Sequence, residues 1–135
     1  CFVIFRLNSF SRNLRNELKS SKKIYFYDNG IRNALIANFS LLELRQDIGQ
    51  LWENFVIAER IKKINYDNIW CNRYFWRTKE QKEIDYIEER DGRLNSYEIK
   101  WSENAKVKQP KLFLSSYPNS TFSIINKENI EDFLL

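Results

Sequence analysis

Asp91-Gly92 is the dipeptide that most restricts how this chain can fold. It sits between two runs suited to strands, Glu83-Ile-Asp-Tyr-Ile-Glu-Glu-Arg90 and Arg93-Leu-Asn-Ser-Tyr-Glu-Ile-Lys100. A two-residue type I′ hairpin needs positive φ at both central positions, and Asp-Gly supplies them at little steric cost. With Arg90 opposite Arg93, the register of the whole ribbon follows. Asp85 then faces Glu98, Glu83 faces Lys100, and the apolar face pairs Ile84 with Ile99 and Tyr86 with Tyr97. Two carboxylates directly opposite on one face stand only ~5 Å apart at Cβ and repel each other. A cation between them relieves that repulsion, so the ribbon points to a divalent-metal site.

The rest of the composition narrows the chemistry. At 135 residues, with 43% hydrophobic and 16% aromatic content, the chain has the material for one packed domain. Histidine is absent, which excludes imidazole catalysis and histidine-containing zinc sites. Three glycines, Gly30, Gly49 and Gly92, leave no phosphate-cradling glycine loop. A net charge of +4 permits contact with phosphates without demanding it. Cys1 and Cys71 make at most one pair, too few for a secreted disulfide scaffold. No apolar run is long enough to span a bilayer and no signal peptide opens the chain. A reducing cytoplasm is therefore the expected compartment. The lack of Met, even at position 1, suggests a piece of something longer.

Along the chain, Phe2 to Leu7 reads as a strand, Ser11 to Leu18 as a short helix, and Ile24 to Tyr27 as a buried strand. That strand ends at Asp28-Asn29-Gly30, read first as a turn capping a short helix from Ile31 to Ile36. A turn near Leu41 to Arg45 follows. A long helix is expected from Gly49 to Ile64 with two apolar stripes. One holds Ile48, Leu51, Phe55 and Ala58. The other holds Val56, Ile57 and Ile64, and carries Glu53 and Arg60 with it. Strands follow at Ile69 to Arg77, Glu83 to Glu89 and Leu94 to Trp101. A helix from Pro110 to Ser116, a strand from Thr121 to Asn126 and a helix from Glu128 to Leu134 complete the chain.

That order, αβββαβ with an acid on the second strand and Glu-x-Lys on the third, resembles the PD-(D/E)xK nuclease superfamily. The resemblance covers about Gly49 to Asn126. It implies an α/β, restriction-endonuclease-like core: a mixed sheet flanked by helices, here with an N-terminal α/β extension. It matches Glu53 to the helix acid, Asp85 to the first metal-binding acid, and Glu98-Ile99-Lys100 to the (D/E)xK element. Ile84 stands where many members carry Pro. A closer likeness rests on Lys23-Ile-Tyr-Phe-Tyr-Asp-Asn-Gly30, Leu51-Trp-Glu-Asn-Phe55, Tyr74-Phe-Trp-Arg-Thr78 and Tyr97-Glu-Ile-Lys-Trp-Ser102. These look like the uncharacterised C-terminal domain of prokaryotic AAA+-type ATPases. That likeness implies an upstream P-loop module and divides the chain into 1–46, the end of a winged-helix region plus a bridge, and 47–135, the nuclease-like core.

Asp85, Glu98, Glu53 and the Ile99 carbonyl offer the hard oxygen ligands that Mg²⁺ or Mn²⁺ prefers. Lys100 is placed to orient a water or to stabilise the reacting phosphate. The competing reading is a charge ladder in which lysines and arginines neutralise the acids, with Arg60 as one partner. Arg73, Arg77, Lys106 and Lys108, together with Lys79, Lys82 and Lys111, are candidate contacts to nucleic-acid phosphates, or simply a solvated basic rim. Trp76 and Trp101 are read as structural before they are read as base-stacking, and Cys71 as a small buried hydrophobe. The expected activity is Mg²⁺-dependent phosphodiester cleavage. The rival is a non-catalytic module that binds nucleic acid or protein and regulates the attached ATPase.

Overall fold

The hairpin forms as the turn chemistry requires. In the computed structural model, φ is 53° at Asp91 and 76° at Gly92, and Arg90 pairs with Arg93. The register between β4 (Glu83–Arg90) and β5 (Arg93–Ile99) runs on to Tyr86 opposite Tyr97, as expected. The structure describes residues 4–12, 15, 17–27 and 47–135. The Asp28-Asn29-Gly30 turn, the helix expected from Ile31 to Ile36 and the turn near Leu41 to Arg45 lie outside the described residues.

Around this hairpin β1 (Ile4–Ser9), β2 (Lys22–Phe26), β3 (Asn72–Arg77) and β6 (Ser120–Ile125) complete a six-stranded sheet in the order β2-β1-β3-β4-β5-β6. β1 lies antiparallel to β2 and parallel to β3, β3 to β5 form an antiparallel meander, and β6 returns parallel to β5. The helices are α1 (Ile48–Tyr66), α2 (Lys111–Ser116) and α3 (Ile130–Leu134). From α1 onward the order is αβββαβ plus a closing helix, as read from the sequence. The protein is thus an α/β fold with a mixed sheet between helices. β1 and β2 belong to the same sheet as the strands that follow α1.

Two apolar clusters, one per sheet face, hold the layers together. Val56, Ile57 and Ile61 of α1 and Phe133 of α3 pack on Leu7, Tyr25, Phe75, Tyr86 and Ile99. On the other face Phe113 and Tyr117, in and just after α2, pack on Phe10, Trp76, Ile84, Ile87 and Leu94. A fully buried side chain such as Ile57 or Phe75 contributes about 1.5 to 3 kcal/mol. The α1 stripe holding Val56, Ile57 and Ile64 is the deeply buried one, and it carries Glu53 and Arg60 toward the sheet. Phe55, expected in a buried stripe, is instead 41% exposed against Trp52. Asn54 reaches the outer edge of β2, where its side-chain oxygen accepts the Phe26 N–H at 2.8 Å and its amide donates to the Phe26 carbonyl. An edge strand leaves such groups unpaired, and here a helix side chain takes them up.

The helix expected from Ser11 to Leu18 does not form in its described residues. Glu17 makes an isolated antiparallel bridge with Thr78 instead. Its carboxylate, 2% exposed, accepts hydrogen bonds from the Trp76 indole, the Tyr117 hydroxyl and the Arg12 amide. These distant partners offset the burial of a charge, which local helical hydrogen bonds do not do.

A β-bulge supplies the other departure from the sequence reading. Tyr74 pairs with Ile87 and Trp76 with Ile84, so β4 takes three steps where β3 takes two. The extra residue resets the alternation of side chains. Ile84 therefore joins Ile87 in the cluster beneath α2, while Tyr86 and Ile99 lie in the cluster beneath α1. The expected common face for Ile84 and Ile99 is lost. Asp85 sits within this bulge, 6% exposed.

Candidate functional site

Asp85 is the centre of a short chain of carboxylates. Beyond the last paired residues of the hairpin, its Oδ2 accepts the Ile99 backbone N–H at 2.9 Å. Glu98 of β5 lies within hydrogen-bonding reach of it from one side, and Glu53 of α1 from another. Burial first, and the Asp85 charge second, push the Glu98 carboxyl up to about 8 and the Glu53 carboxyl up to about 7. The expected meeting of Asp85 and Glu98 thus occurs at the end of the ribbon, with Asp85 bonded to the backbone of β5. Lys100 is beside them, Nζ 3.5 Å from Glu98 Oε1. Glu53 of α1, Asp85 of β4, Glu98 of β5 and Lys100 just after that strand come together.

Two residues of the site were not anticipated, and both come from β2. Lys23 Nζ lies 3.9 Å from Glu53 Oε2 and 3.9 Å from Asp85 Oδ1. Tyr25 donates its hydroxyl hydrogen to Glu53 Oε2 at 2.9 Å. Burial, then the Glu53 charge, raises the Tyr25 hydroxyl far above the usual phenol range, so it acts as a donor. Alternation along Lys23-Ile24-Tyr25 puts the two on one face of a strand. Only the sheet order and the Asn54 clasp bring that face against α1. Lys23, Tyr25, Glu53 and Asp85 line a cavity of about 400 Å³, with Arg77 and Glu83 at its border.

The other candidates are distributed differently. Glu83 pairs with Arg77, Oε1 to Nε 2.6 Å, rather than with Lys100, because β3 and not β5 runs beside it there. That pairing leaves Arg77 half-buried and already neutralised. Arg60 meets Glu88 through two bonds of 2.8 and 2.9 Å and does not reach Asp85 or Glu98. Arg73 lies on β3 opposite Glu88. Lys106 and Lys108 are exposed between β5 and α2, and Lys108 borders a second cavity of about 740 Å³ with Lys82, Lys111 and Pro110. Trp76 is 1% exposed and belongs to the core. Trp101 packs edge-on against Trp52 and carries the Lys127 ammonium over its ring at 4.3 Å. Cys71 is free and half-buried rather than fully buried.

The donor set suits a hard dication in kind: oxygen ligands only, with burial first and the Asp85 charge second raising the pKa values of two of them. Asp85, with Glu98 and Glu53 on its flanks, would hold it. Among the described residues no three such side chains already surround one point as a ready metal centre. The acids form a chain with Asp85 in the middle, and the Lys23 ammonium lies beside one of its two links. Among the described residues, too, no helix is long and apolar enough to cross a membrane.

Comparison with known proteins adds the following. The chain is 29% identical over 100 residues to Uncharacterized protein Rv2008c of Mycobacterium tuberculosis and, to the same extent, to Uncharacterized protein Mb2031c of Mycobacterium bovis. Each match covers 73% of this chain and 22% of the relative, so the chain spans less than a quarter of the length of these proteins. No solved structure matches it. Residues 1–42 match a family described as Domain of unknown function (DUF8612). A second family covers α1 through α3, and with it every carboxylate of the site. By that match over residues 48–133, the protein belongs to the family described as Domain of unknown function (DUF4143).

Proposed function

We propose that this chain is a nuclease-like module whose Asp85-centred carboxylates support Mg²⁺- or Mn²⁺-dependent cleavage of phosphodiester bonds in nucleic acid. The observation that carries this reading is the meeting of Glu53, Asp85 and Glu98 beside Lys100, at the end of a hairpin inside an αβββαβ order. A buried Asp85 flanked by two half-buried glutamates destabilises a fold unless these acids bind something, and that strain is common at working sites. A bound dication would lower the pKa of a water and neutralise charge on the reacting phosphate. Lys100, 41% exposed, has its ammonium where it can donate to an attacking water or to a phosphate oxygen. Ile99 holds Asp85 in place through its N–H, and Tyr25 holds Glu53 through its hydroxyl. Lys106 and Lys108 supply exposed positive charge for the backbone of the substrate. Arg73 is a weaker candidate beside Glu88, and Arg77 would first have to leave Glu83. In the full-length protein the resemblance implies an upstream P-loop ATPase module acting with this one.

A second reading, a non-catalytic module that binds nucleic acid or protein and regulates such an ATPase, is favoured by one observation. The Lys23 ammonium already stands between two of the three acids. Incubating the chain with single-stranded and plasmid DNA and with RNA, in Mg²⁺ or Mn²⁺, separates the readings. Cleavage lost in both Asp85→Asn and Lys100→Ala supports the nuclease. Absence of cleavage, together with salt-sensitive DNA binding or with no binding at all, leaves the regulatory module.

A further inference from the structure

The two glutamates and the aspartate of the site come from α1 and the hairpin, but the cation nearest two of them comes from β2. Lys23 Nζ lies 3.9 Å from both Glu53 Oε2 and Asp85 Oδ1, and its side chain is only 17% exposed. The ring of Phe75 lies against it, centroid 5.3 Å from Nζ. Pairing with Leu7 of β1 fixes the position of Lys23 along the strand. Asn54, next to Glu53 in sequence, ties α1 to the backbone of Phe26 three residues further on. The ammonium is thus held from both sides by secondary structure, and its place between the acids is built into the fold.

We propose that Lys23 is the resident counter-cation of this carboxylate site, and that a divalent cation enters only as the Lys23 ammonium withdraws from between Glu53 and Asp85. The second clause rests on the metal-binding reading above, whereas the first does not. One ammonium cannot share carboxylate oxygens with a dication at close range, because unlike charges attract and like charges repel with the same distance dependence. Lysine is suited to such an exchange. Its charge sits on a flexible four-carbon stem that can swing to solvent, where an arginine fork would stay bonded. The segment that supplies Lys23 lies in residues 1–42, matched by one family, and the acids lie in residues 48–133, matched by another. Occupancy of the site by metal is thereby coupled to the β1–β2 strand pair.

The test uses the 135-residue chain, Mn²⁺ alone as the probe, and three readouts. In metal-free buffer at pH 8, Lys23→Met should lower the melting temperature, and most of that loss should vanish in a Glu53→Gln background. Titration of free Mn²⁺, followed by its electron paramagnetic resonance signal, should show Lys23→Met binding about tenfold more tightly than wild type, since a competing positive charge is gone. In the wild-type chain, amine acetylation mapped by mass spectrometry should show Lys23 protected without metal and reactive with Mn²⁺, a readout that needs no folded variant. Unchanged melting in Lys23→Met overturns the counter-cation assignment. Weaker Mn²⁺ binding in Lys23→Met, or Lys23 labelling that Mn²⁺ leaves unchanged, overturns the displacement. If neither wild type nor variant binds Mn²⁺, the displacement falls with the metal reading, and the melting comparison alone decides the counter-cation.

Discussion

The carboxylate of Asp85 accepts the backbone amide of Ile99 at 2.9 Å, where the paired register of β4 and β5 has ended. A side chain thus takes over a bond that a strand carbonyl makes elsewhere in the ladder. The arrangement holds Asp85 at the sheet end with one oxygen engaged and the other facing Lys23.

Asparagine at this position keeps an oxygen for the Ile99 amide but removes the negative charge shared with Glu53 and Glu98. Asp85→Asn is therefore expected to melt above wild type at pH 8 while losing Mn²⁺ binding. Asp85→Ala leaves a buried N–H without its acceptor and should be about 1 to 3 kcal/mol less stable than Asp85→Asn. Urea unfolding of the two variants side by side checks this, and equal midpoints would show that the Ile99 bond contributes nothing.

Stability should also fall as the pH rises. Glu53 and Glu98 have folded pKa values of about 7 and about 8, above the ordinary 4.5. The folded state therefore binds more protons than the unfolded state between these limits. Its favourable contribution is full below 4.5 and is lost as pH climbs through 7 and 8. Glu89, held low by its hydrogen bond to Arg12, acts only on the acid side of this window. In metal-free buffer the urea midpoint should be lower at pH 8.5 than at pH 5.5, and Glu98→Gln should flatten the upper part of the decline. A midpoint that is flat or rises over that range contradicts the assignment.

Arg60 and Glu88 are a different kind of charged pair. Two bonds of 2.8 and 2.9 Å join them, the Tyr86 hydroxyl donates to Glu88 at 2.8 Å, and Arg60 lies over the Phe133 ring at 4.5 Å while donating to the Phe133 carbonyl. With every partner buried or half-buried, removing one charge strands the other. Glu88→Ala should cost about 3 to 5 kcal/mol. Replacing both with apolar residues of similar size should recover much of that loss, which a double-mutant cycle by urea unfolding would reveal. Additive single losses would mean that the pair does not couple.

Glu17 ties the segment after β1 to the α2 side of the sheet. Its acceptors serve the Trp76 indole and the Tyr117 hydroxyl, residues 59 and 100 positions away. Glu17→Ala removes the buried acceptor shared by the Trp76 indole and the Tyr117 hydroxyl and should destabilise the fold by about 2 kcal/mol or more. Tryptophan fluorescence of the folded state should shift as the Trp76 environment loses its acceptor. If neither stability nor emission changes, the segment is not anchored by this carboxylate.

Local rules made the hairpin legible from the sequence. Asp91-Gly92 dictates a turn of known geometry, the turn dictates register, and register brings Asp85, Glu98 and Lys100 to one end of the ribbon. Helical period likewise puts Glu53 and Arg60 on the same side of α1 as Val56 and Ile57. Such inferences work because they need only the repeat of a single element or of two elements joined by a tight turn. The bulge in β4 escaped them, since whether an extra residue fits depends on the neighbouring strand β3. The helix expected at Ser11 to Leu18 is missing from its described residues for the same reason, because partners far along the chain satisfy Glu17. What only the tertiary structure decided is the neighbourhood of the acids: which of Lys23, Arg60, Arg77 and Lys100 meets which carboxylate. That choice depends on sheet order and on the Asn54 clasp at the β2 edge, where residues distant in sequence are brought within a few ångströms and pairwise charge attraction becomes large enough to matter.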